Sequence, residues 1–153
     1  MEIRFYHLSR TPITKALPQI LDKAYERSLL TYIYCADKPS LQGLSKSIWA
    51  HKPHGFIPHG STEETHREHQ PILLGCALPT ETAENKAKLL ITTTAGGLFD
   101  ADYQFPYEQW FHFFDGNDAK SLDDARTMWK SLSKASTHDL TYWQQSDTGW
   151  AKK

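Results

Sequence analysis

Cysteine is scarce in this chain: among 153 residues there are two, Cys35 and Cys76, and neither belongs to a CxxC pair. A disulfide framework or a cysteine-built zinc site is therefore excluded. Both cysteines lie in apolar runs and read as small buried residues of a reduced compartment. An excess of one charge is also missing. Lys and Arg number 17 against 18 Asp and Glu, for a net charge of −1. Broad coating of a phosphate backbone needs a basic surplus, so any nucleic-acid contact is expected to be local or weak. No apolar run approaches the ~20 residues of a membrane span. The opening MEIRFYHLSR carries no apolar stretch of signal-peptide length. The expectation is a cytoplasmic protein without membrane contact.

Glycine is missing where nucleotide chemistry would need it. The first strand-to-helix turn reads HLSRTPIT, and a dinucleotide fingerprint requires glycines there so that the backbone can approach a pyrophosphate. No GxxxxGKS or GxxxxGKT loop occurs. Ala95-Gly96-Gly97 lacks its lysine and spacing and reads as a strand exit. No GxSxG elbow organises the serines, and no HExxH is present. These gaps point away from an enzyme and away from a bound cofactor or metal. The exception to weigh is histidine. His51, His54, His59, His66 and His69 fall within nineteen positions. Imidazoles suit zinc, so a small metal-dependent hydrolase built on this cluster is the alternative. Prolines interrupt HKPHGFIPH, and an exposed polar loop explains the segment more simply.

What the chain does have is large aromatics, with five Trp, seven Tyr and seven Phe. Most are expected in a core, and a few as partner anchors. Residues 3–8 read as a strand. Ile13, Leu17, Ile20, Leu21, Ala24 and Ser28 then recur at helical spacing. Pro18 fits that helix only within its first turn. The run LLTYIYCA over 29–36 suits a central parallel strand covered on both faces. Asp37 and Pro39 open a second helix with Leu41, Leu44 and Ile48 on its buried side. After a loop over 49–70, further strands are predicted at 72–78, 89–94 and 109–114. A helix capped by Ser121 runs to about Ser136, and a short strand follows at 140–144, with a fraying lysine-ended tail. Alternating strands and helices predict a single three-layer α/β domain over 1–153 with a mostly parallel central sheet, Rossmann-like without a nucleotide-binding loop.

Two segments stand out as interaction sites. In the last helix Leu122, Ala125, Trp129 and Leu132 form a core-facing stripe, and Arg126, Lys130 and Lys134 form a basic stripe beside it. Arginine forks a carboxylate while an aromatic walls a pocket, which suits an acidic peptide with an apolar end. A solvated helix face with a core tryptophan is the plainer reading. The second segment is IWAHKPHGFIPHG. Trp49, Phe56, Ile57 and Pro58 have no periodic reason to be buried. They either meet a partner or fold back as a lid over the sheet edge.

These same segments resemble the chi subunit of bacterial DNA polymerase III. Ile48-Trp49-Ala50 followed by Phe56-Ile57-Pro58-His59 matches that family's Trp-Ala and Phe-x-Pro-His block. Phe113-Phe114-Asp115, then Ala125-Arg126 and Trp129-Lys130, match a strand ending in Asp and a helix with Ala-Arg-x-x-aromatic-Lys. The early FYHL and IYCA agree as well. The resemblance implies a compact fold related to nucleotide-binding folds without that activity, and a non-catalytic adaptor role. It implies pairing with the psi subunit, and through it the clamp loader, on the side of Trp49, Phe56, Ile57 and Pro58. It also implies a separate site, at Arg126, Trp129, Lys130 and Lys134, for the acidic tail of single-stranded DNA-binding protein, which ends in Pro-Phe. A helicase-like repair protein is a further partner known in the family.

Overall fold

The computed structural model describes residues 1–51, 57–95, 98, 104–135 and 137–153. The elements run β1 (Glu2–Leu8), α1 (Ile13–Glu26), β2 (Thr31–Tyr34), α2 (Lys38–Ala50), β3 (Gly60–Ser61), a 3-10 turn (Arg67–His69), β4 (Ile72–Gly75), β5 (Leu89–Thr92), β6 (Gln109–Asp115), α3 (Ala119–Ser133), β7 (Asp139–Ser146) and β8 (Gly149–Lys152). The strands form one sheet in the order β3-β4-β2-β5-β6-β1-β7-β8. Every pairing is parallel except β7 with β8. This is the α/β architecture expected from the alternation of strands and helices.

Strand alternation divides the core into two layers. On one side Tyr6, Ile33, Leu74, Phe111 and Phe113 meet Leu17 and Leu21 of α1 and Leu44 and Ile48 of α2. On the other, Phe5, Leu73, Leu90, Trp110 and Phe114 meet Ala125, Met128 and Leu132 of α3. Helices on both faces explain why β2, β4 and β5 are buried along their whole length.

Several local expectations are corrected. Pro18 lies inside α1, past the first turn, and is buried. The helix continues because the carbonyl it leaves without a helical donor belongs to exposed Thr14, while Leu17 and Leu21 on either side are fully buried. The cap of α3 is Asp118, whose carboxylate accepts from the Ser121 amide at 3.1 Å and its hydroxyl at 2.8 Å, so Ser121 lies inside the helix. Cys76 is exposed and only Cys35 is buried.

The tail does not fray. It turns through Asp147 and Thr148, with Gly149 at φ 135, and pairs back on β7 with Gln145 opposite Trp150. Glycine is the residue that adopts such a backbone without strain. The tail is held because Trp150 packs edge-on against Tyr6, ring centroids 5.0 Å apart, which offsets the entropy of ordering the end.

Candidate functional site

The α3 side of the sheet carries a groove of about 520 Å3 between α3, β1 and β7. Its floor is aromatic. The Trp129 ring stands edge-on to Phe5 at 5.2 Å and to Tyr142 at 6.1 Å, and His7 packs on Phe114 at 5.0 Å. Arg126 and Lys130 line the rim and are exposed, so both cations remain hydrated until something binds. Trp129 is only partly buried. It therefore serves the core and the groove wall at once. Asp123 also lines the groove and lowers its positive potential.

The sheet register brings His7 and Tyr142 together, since β1 and β7 are parallel neighbours and His7 lies beside Gln144. His7 Nδ1 is hydrogen-bonded to the Tyr142 hydroxyl. Burial holds His7 below the ordinary histidine range, and Arg126 acts in the same direction against the pull of Asp115. Burial likewise pushes the Tyr142 phenol up. The groove base is thus neutral near pH 7 and its positive charge sits at the rim. The turn after β6 protects this arrangement. Gly116 donates its amide to the Leu8 carbonyl at 2.8 Å, and a Cβ there would run into the His7 ring.

Of the four residues expected here, Arg126, Trp129 and Lys130 come together. Lys134 caps the end of α3 outside the groove lining. Phe5, His7, Phe114 and Tyr142 were not legible as site residues. Their signal was only period-two strand alternation, which places residues on a face without saying what lies over that face.

The second segment lies on the opposite side of the sheet. Trp49, near the end of α2, is 59% exposed and does not fold back as a lid. Its ring packs 5.1 Å from His59. His59 is itself fixed, with Nδ1 donating to the Ile57 carbonyl at 2.9 Å and Nε2 accepting from the Ser45 hydroxyl at 3.1 Å. Ile57 is 2% exposed and belongs to the core layer that contains Leu44 and Ile48 of α2. Its apolar side chain anchors the loop, which corrects its reading as a surface contact. Pro58 is half-buried. Phe56 lies outside the described residues.

The histidine cluster is dispersed. His51 meets Asp22 of α1 at 2.9 Å, His59 is held as above, and His66 and His69 sit on the 3-10 turn with rings 6.5 Å apart. Among the described residues no three His, Cys, Asp or Glu side chains converge as metal ligands. His54 lies outside them. No described helix is long and apolar enough to cross a membrane.

A curated protein of Rickettsia prowazekii (strain Madrid E), described as a probable DNA polymerase III subunit chi, is 29% identical over 73 residues, covering 48% of this chain and 44% of that protein. The chain thus spans less than half of the length of the relative it matches. The family described as DNA polymerase III chi subunit, HolC, matches far more of the chain, residues 1–139, which takes in β1 through α3 and so the Trp49 segment and every lining residue of the groove except Tyr142. With that coverage, the chain belongs to the DNA polymerase III chi subunit family.

Proposed function

We propose that the chain is a non-catalytic replication adaptor with two separate protein-binding faces. One face, around Trp49 and Pro58, takes the psi subunit and through it the clamp loader, and Phe56 is expected to contribute to the same interface. The other, the α3 groove, takes the acidic C-terminal tail of single-stranded DNA-binding protein. The family itself is one of accessory subunits of the polymerase, and a replication accessory role accords with it.

The observation that carries this reading is the chemistry of the groove. Two exposed cations, Arg126 and Lys130, stand over a pocket walled by Trp129, Phe5 and Tyr142. A peptide ending in Phe offers a ring for the pocket and a free carboxylate for the guanidinium. Exposed ion pairs are individually weak and screened by salt, so the carboxylate fork and the ring must carry most of the specificity. The two faces lie on opposite sides of the sheet, and separate losses on mutation follow from that separation.

The test is titration of an acidic peptide ending in Pro-Phe, by calorimetry, with its C-terminus free or amidated. The free form binds in the micromolar class and weakens as salt rises, and amidation hurts more than neutralising one upstream acid. Arg126→Ala weakens the peptide and spares psi. Equal losses for both partners would mean damage to the fold, and no loss for either would return α3 to an ordinary solvated face.

A further inference from the structure

A second groove, of about 710 Å3, runs along the whole of α1 on the other side of the sheet, from Thr11 before the helix to Leu29 after it. Its two walls differ in chemistry. On the helix wall Lys15, Gln19, Lys23 and Arg27 follow one another every four residues and so form a single stripe. All four are exposed, and no ion pair engages Lys15, Lys23 or Arg27 among the described residues. On the sheet wall Tyr6, Trp143 and Trp150 form an aromatic row. Trp143 lies nearly parallel to Tyr6, at 21° and 6.4 Å, and both tryptophans are half-buried. Arg4 lies over the rings of Phe111 and Trp143, at 5.0 and 5.7 Å, while paired with Glu2 at 2.7 Å.

No carboxylate lines this groove among the described residues. The nearby acids are turned elsewhere. Glu2 pairs with Arg4, Asp147 with Arg10 at the hairpin turn, and Asp22 and Glu26 line the flank of α1 toward α2, which Lys15, Gln19 and Lys23 also border from the crest of the helix. The net charge of −1 argues against coating a duplex, but it does not bear on a local stripe.

We propose that this groove binds a short stretch of single-stranded DNA. Cations facing the two half-buried indoles of Trp143 and Trp150 are what such a strand needs, with phosphates along the helix and bases against the indoles. Lys23 and Arg27 are four residues apart and advance about 6 Å along the helix at 1.5 Å per residue, a step on the scale of successive phosphates in an extended strand, and Lys15 lies two such steps before Lys23, with neutral Gln19 between them. An acidic peptide would use the cations and leave the aromatic row without a matching row of rings. The site is distinct from the α3 groove, since it lies across the sheet and shares no lining residue with it.

The experiment is fluorescence anisotropy of a labelled short oligothymidylate titrated with the full chain at low salt. Binding is expected, with quenching of indole emission and a steep loss as salt rises. The combined variant Lys15→Glu, Lys23→Glu, Arg27→Glu changes only exposed positions. It is expected to lose at least tenfold in oligonucleotide affinity while keeping acidic-peptide binding at the α3 groove, which checks the fold. Trp150→Leu is expected to weaken binding several-fold and leave the salt slope unchanged, with a thermal melt to confirm folding. No binding at low salt, binding unaffected by the charge reversal, or equal binding of polyglutamate would each overturn the proposal.

Discussion

The α3 groove and the Trp49 face hold their aromatic rings in different ways. In the groove Trp129 is wedged between Phe5 and Tyr142, and the cations stand at the rim. At the other face Trp49 packs against His59 and leaves more than half of its surface to water. The first is a preformed pocket with charge, suited to one chemical end of a flexible chain. The second is a protruding apolar anchor, suited to a partner that brings its own pocket. Salt should therefore weaken binding at the first far more than at the second, because screening acts on charge and leaves apolar burial almost untouched.

The largest expected effect comes from the layer beneath the groove. His112 is buried against Phe5 and Phe114, and its Nδ1 shares a hydrogen bond with the Thr92 hydroxyl at 2.7 Å. Burial pushes His112 down to about 4, and Asp124 only partly opposes this. The unfolded chain takes up this proton near the ordinary 6.5, before the folded chain does. The stabilising contribution of neutral His112 is thus complete above that pH and is lost as pH falls toward 4, up to about 3 kcal/mol. Denaturant melts across this range should show the slope, and His112→Asn should flatten it. An unchanged slope would mean that other groups govern the acid limb.

Next is the anchor. Trp49→Ala should cost ~2 kcal/mol or more in binding of a psi-type partner, with little dependence on salt. The melt of the free chain should move little, since Trp49 is 59% exposed. A large loss of stability with unchanged binding would reverse the contrast drawn between the two faces.

Gly116→Ala tests the groove geometry with no change of charge. The added methyl must displace His7, the Tyr142 partner, at a cost of roughly 1 kcal/mol or more in stability. Acidic-peptide binding should weaken while the Trp49 face keeps its partner. Equal retention of both, measured side by side, would show that the position of His7 does not matter to the groove.

The smallest effect is at Asp123. Asp123→Asn removes a negative charge from the groove lining and should tighten an acidic peptide by less than ~1 kcal/mol at low salt. The gain should vanish at high salt. A gain that survives high salt would mean a change in shape and not in charge.

By itself the sequence determined the local elements and the chemistry that each could carry. The unbroken apolar character of Tyr32, Ile33 and Tyr34 required a strand covered on both faces, because an exposed face there would leave apolar area in water. Asp37 had a free carboxylate ahead of a helix, and it caps the Ser40 amide at 2.8 Å. Arg126, Trp129 and Lys130 could be placed on one helix flank because the helical repeat is local.

What only the tertiary structure decided depends on distant partners. Phe5 reaches Trp129 across more than a hundred residues of chain, and the pairing of β7 with β1 sets Tyr142 beside it. The C-terminal residues order as β8 because Trp150 finds Tyr6, and no local pattern encodes that contact. Ile57 and Trp49 are both apolar, yet one is buried in the core layer of α1 and α2 and the other is more than half exposed. A residue's type sets how much it gains from burial. Whether it is buried depends on which surface the rest of the chain brings to it.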